Sequence, residues 1–146
     1  MEFLTCVVAA EEDEYSDIGQ SNTPLNEWSG IESPGLDTTK IATLHSLLTG
    51  DSLQMALDLY EPVFVTEGDD ETLVLRIDGE MMEELALLDD EAVENIAGEL
   101  VATEVYEHEE ADPEEIQAFL SALSELAQLA ESQGQSLFVW IKLLQD

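Results

Sequence analysis

The stretch 112–144, DPEEIQAFLSALSELAQLAESQGQSLFVWIKLL, decides the fold class because it contains one complete helix and one complete strand with marked ends. Asp112 can cap the helix, Pro113 suits its first turn, and Glu115 completes a capping-box arrangement. Ile116, Phe119, Leu120, Leu123, Leu126, Ala127 and Ala130 fall on one face at helical spacing. Gly134 stands where a helix takes a left-handed residue to stop. Beyond it, Leu137–Ile141 is an unbroken apolar run, which predicts a central strand covered on both faces.

Outward from this pair the chain alternates irregularly between the two periodicities. Phe3–Val8 predicts a strand. A helix is expected at 38–49, capped by Asp37 or Thr38, with Ile41, Leu44 and Leu48 on its apolar face and Gly50 after it. A shorter helix follows at about 52–60. A hairpin joins strands at 63–66 and 72–78 across a loop at 67–71. In the second of these strands Leu73, Leu75 and Ile77 alternate with Val74 and Arg76, as in a half-buried strand. Helices are predicted at 79–88 and from an Asp89 or Asp90 cap to about 103. The expectation is an α+β domain spanning 1–146, with a small mixed sheet of about four strands and four to five helices. Residues 11–37 show no periodicity and are expected to form an irregular acidic loop pinned by Leu25, Trp28 and Ile31.

Charge bounds the function. The 146 residues carry 35 Asp and Glu against Lys40, Arg76 and Lys142, for a net charge of −32. Three scattered cations cannot neutralise a row of phosphates, so direct nucleic-acid binding is not expected. An anionic membrane would repel the chain for the same reason. No apolar run reaches the roughly 20 residues of a membrane span. The start, MEFLTCVVAA, lacks the positive flank of a signal peptide, and a cytoplasmic location is expected. Cys6 is the single cysteine and lies in an apolar run, which suits a buried, inert thiol.

The motifs for chemistry are sparse. Cys6, His45 and His108 lack the spacing of a zinc site. Residues 67–80, EGDDETLVLRIDGE, fail as a calcium loop, because Val74 occupies the sixth position from Asp69, where glycine is needed. No glycine-rich phosphate loop is present. No catalytic residue, cofactor or metal is therefore assigned. His108 sits in an acidic run. His45 shares the apolar face of Ile41, Leu44 and Leu48, where a core histidine bonded through both nitrogens and a group at a pocket edge are both open.

The stretch LDTTKIATLHSLLTG (36–50) resembles a segment of the YfbM-like family of small bacterial proteins, with Leu44-His45, Leu47-Leu48 and Thr49-Gly50 matching. LLDDEAVENIAGEL (87–100) and SALSELAQLAESQGQSLFVWI (121–141) resemble the same family. The matches cover about half the chain. Ile41 replaces an expected Trp and Ser46 an expected aromatic, and TLVLRIDGEMMEE (72–84) replaces a glycine-rich segment. The resemblance implies an α+β fold and no known activity.

Three functions compete. The first is a non-enzymatic binding or inhibitory module that engages a basic protein partner. Its candidate face is Glu107, Glu109, Glu110 and Asp112, with Asp89, Asp90 and Glu91 if folding brings them near. DNA mimicry is a special case: smoothed over a sphere, the charge comes to about one per 140 Å², against about one per 110 Å² on B-DNA. The second is a salt-adapted housekeeping domain of a halophile, with no charge-specific partner. The third is an enzyme of unrecognised type using His45.

Overall fold

A computed structural model describes residues 2–21, 23–32, 36, 38–66, 71–103 and 112–144. Five strands form one sheet: β1 (Glu2–Ala10), β2 (Ser29–Glu32), β3 (Phe64–Val65), β4 (Thr72–Arg76) and β5 (Ser136–Leu144), in the order β2-β1-β5-β4-β3. Every pairing is antiparallel. The sheet is thus antiparallel rather than mixed, and its fifth strand, β2, lies in the stretch expected to be an irregular loop.

β5 is the central strand, as its continuous apolar run requires. It pairs with β1 along its whole length, from Glu2↔Leu144 to Ala10↔Ser136, and with β4 from Thr72↔Lys142 to Arg76↔Phe138. Alternate residues feed two cores. Val7, Ala9, Leu75, Leu137, Val139 and Ile141 belong to the larger one. Cys6, Val8, Ala10, Val74, Phe138 and Trp140 belong to the smaller one on the opposite face.

The larger core is closed by helices α3 (Thr38–Thr49), α4 (Leu53–Leu59), α5 (Gly79–Ala86), α6 (Asp90–Val101) and α7 (Pro113–Gln133). Their ends follow local chemistry. The side chains of Ser52, Asp78, Asp89 and Asp112 accept the backbone N–H of Met55, Glu80, Ala92 and Glu114. Each such cap satisfies one N–H that the helix itself cannot, typically worth about 1 kcal/mol. Gly134 ends α7 at φ 68°, a conformation that favours glycine.

The smaller core is closed by the stretch expected to be irregular. Residues 11–32 contain a 3-10 turn (Glu12–Glu14), α1 (Tyr15–Gln20), α2 (Pro24–Glu27) and β2. The anchor is Ile18, which is fully buried, whereas Leu25 is exposed and Trp28 and Ile31 are only half-buried. Trp28 still contributes, packing on the smaller core while its Nε1–H donates to Glu14 at 3.1 Å. This second layer also corrects the expectation for β4. Val74, on the face predicted to be open, is fully buried.

Candidate functional site

His45 lies on α3, which faces the larger core through Ile41, Ala42 and Leu44. Its side chain is completely buried. Both ring nitrogens are engaged: Nε2 lies 2.8 Å from Asp51 Oδ2 and Nδ1 3.0 Å from Tyr60 Oη. A carboxylate can only accept, so Nε2 carries a proton and donates it to Asp51. In the neutral ring Nδ1 then accepts from the Tyr60 hydroxyl. The Tyr60 ring meets the imidazole edge-on, with centroids 5.5 Å apart. Tyr60 Oη also accepts the Asp78 N–H at 3.4 Å and lies 3.2 Å from Met81 Sδ. The network thus ties α3 to both ends of α4, through Asp51 and Tyr60, and to the start of α5.

Two pKa shifts follow from this packing. The Asp51 carboxyl is held below the usual aspartate range, chiefly by its hydrogen bond from His45. Burial pushes the Tyr60 phenol well up, so it remains an O–H. The sequence showed His45 on an apolar face but named neither partner. Asp51 directly follows the helix-ending Gly50, and Tyr60 ends the next apolar helix; both signals are visible only once α3 and α4 fold back on each other.

Cys6 is buried, and desolvation, aided by nearby Glu32, pushes its thiol up to about 12. Such a thiol is a packing group rather than a nucleophile. Among the described residues no group of three or more His, Cys, Asp or Glu could hold a metal ion.

The acidic candidates separate. Glu107, Glu109, Glu110 and His108 lie outside the described residues. Asp89, Asp90, Glu91 and Asp112 are exposed at the starts of α6 and α7. Gln128 Nε2 donates to the Ala86 carbonyl, so the joint before α6 sits beside residue 128 of α7. From residue 112 to 128 the helix runs about 24 Å. The Asp89–Glu91 cap and Asp112 therefore do not form one continuous edge.

No family model matches the chain, and no curated protein does. A solved structure of a protein of unknown function, YfbM from Escherichia coli, matches 96% of this chain and 99% of its own, at 13% identity and a TM-score of 0.45. It carries the name of the family whose resemblance was read from residues 36–50, 87–100 and 121–141.

The distribution of charge is the remaining feature. Among the residues whose burial is described no Asp or Glu is buried, whereas Lys40 is only 7% exposed. Arg76 is turned to Glu12, its Nη2 lying 2.7 Å from the Glu12 carboxylate. Folding thus leaves the described carboxylates outside while burying Lys40 and turning Arg76 to a carboxylate. No described helix is long and apolar enough to cross a membrane.

Proposed function

We propose that the chain is a non-enzymatic binding module that engages a basic protein through its acidic surface, as an immunity-like or DNA-mimic-like protein would. The observation that carries this reading is the placement of charge. An accessible surface of 8000 Å² shared by a net charge of −32 leaves about 250 Å² per charge, with Lys40 withdrawn from that surface. Such a field steers a cationic partner and raises its association rate. The complete engagement of His45 also supports a binding role over acid–base chemistry, because no ring nitrogen is left to face a substrate. YfbM-like kinship, supported by Leu44-His45, Leu47-Leu48 and Thr49-Gly50, is part of the proposal and brings no activity with it.

The test is capture of partners at low salt, followed by purification and titration of each captured protein. A saturable, stoichiometric complex with a basic protein, weakening steeply as salt rises, is expected. Neutralising Asp89, Asp90 and Glu91 to Asn, Asn and Gln should slow association more than neutralising Glu114, Glu115 and Glu125 to Gln. Equal effects would reduce recognition to total charge. Absence of any stoichiometric complex would leave the salt-adapted surface as the better account.

A further inference from the structure

Ten large apolar side chains are exposed among the described residues, and six of them fall between residues 53 and 65. Scattered exposed apolar residues are ordinary, but contiguous ones mark interaction surfaces. Met55 and Leu59 are four residues apart on α4 and so share a face, with 59% and 51% of their surface exposed. Val63, just before β3, and Val65 within it flank Phe64 and are also exposed. Leu59 and Val63 line the same open cleft of about 260 Å³, together with Glu61, Arg76, Asp78 and Gly79. β3 is the edge strand on that side of the sheet.

The charge around this strip is one-sided. Glu61 and Asp78 line the cleft, and Asp58 and Glu80 stand exposed beside them in sequence. Arg76, the cation in the cleft, already faces Glu12. A second copy of this chain would bring the same carboxylates against these and be repelled. An apolar strip in an anionic rim instead complements a segment that carries aliphatic side chains among lysines or arginines.

Resting on the reading of the chain as a binder of basic proteins, we propose that Met55, Leu59, Val63, Val65 and the adjoining cleft form the docking face for a cationic, aliphatic-bearing segment of the partner. The long-range field brings the partner in; this strip gives it a place to bury apolar surface and slows its release.

Two synthetic peptides of equal length and charge test this, one alternating Leu and Lys, the other Gln and Lys. Their dissociation constants are measured at about 50 mM salt. The full chain should bind the Leu/Lys peptide at least tenfold more tightly. The Leu59→Ser/Val63→Ser variant should lose that advantage while still binding the Gln/Lys peptide as the parent does. A Leu25→Ser/Leu87→Ser variant, altered at exposed apolar sites elsewhere, should keep it. Circular dichroism melts establish that each variant is folded. If the parent binds both peptides equally, or the Leu59/Val63 variant keeps the preference, the docking face is overturned while the acidic module stands. If neither peptide binds, the acidic module itself fails. Self-association of the chain that Leu59→Ser/Val63→Ser abolishes, seen by sedimentation, would also overturn the proposal by assigning the strip to a second copy.

Discussion

His45 shows how a buried polar side chain can be made complete. Its partners come from opposite sides, a half-exposed carboxylate at Nε2 and a buried hydroxyl at Nδ1. Left unpaired in this core, either nitrogen would cost about 1–3 kcal/mol. The Asp51 end has a pH signature. Its folded pKa lies below its ordinary value, so its contribution is present above about pH 3.9 and is lost as pH falls through the depressed value. Asp51→Asn keeps an acceptor for the Nε2–H but cannot titrate. The melting-temperature gap between the parent and Asp51→Asn should therefore shrink as the pH is lowered from 5 to 3. Repulsion among the other carboxylates is shared by both chains and cancels in that difference. A gap that stays constant over this range would show that Asp51 gains nothing from His45.

At the scale of elements, α1 reaches the sheet through a glycine. A Cβ built on Gly19 would run into the ring of Phe64, whereas one built on Gly98, on the exposed side of α6, meets nothing within 4 Å. Gly19→Ala should cost about 1–3 kcal/mol by forcing the ring aside, and less than about 0.5 kcal/mol in a Phe64→Ala background, where the methyl has room. Gly98→Ala should stabilise the chain by about 0.5–1 kcal/mol, because alanine loses less backbone freedom in a helix. Urea melts of the four variants check both expectations. Legibility in the sequence followed the same division. α6, α7 and β5 could be read directly, since their caps, stripes and apolar run are all local signals. α1, α2 and β2 could not, because four to six residues are too few to show a period. What holds that stretch down is Ile18, one apolar residue in a polar neighbourhood, and its burial depends on β4 and β5 far along the chain. The burial of Val74 was hidden for the same reason. Of the site, the face carrying His45 was legible, but its partners and the exposed strip on α4 and β3 were not, because both depend on which elements meet.

The whole molecule must hold together against its own charge. Two apolar cores clasp the sheet, but 35 carboxylates face only three cations, one of which is buried. Self-repulsion of this kind acts between exposed groups over the Debye length, which falls to about 10 Å at 0.1 M salt. Screening should therefore stabilise the fold most at the low end of the salt range. Between about 20 and 200 mM NaCl the melting temperature should rise by at least ~5 °C, equivalent to roughly 2 kcal/mol for a chain of this size. From 0.2 to 1 M the rise should flatten, because neighbouring charges are by then already screened from one another. Scanning calorimetry across that series distinguishes the causes. A steady climb into molar salt would point instead to salt exclusion strengthening apolar burial, as sulfate and phosphate do. MgCl2 exceeding NaCl at equal ionic strength would point to cations bound at specific carboxylates. A melting temperature flat from 20 mM to 1 M would mean that the carboxylates stand far enough apart not to strain the fold, and the cationic partner proposed above would then serve recognition alone rather than stability.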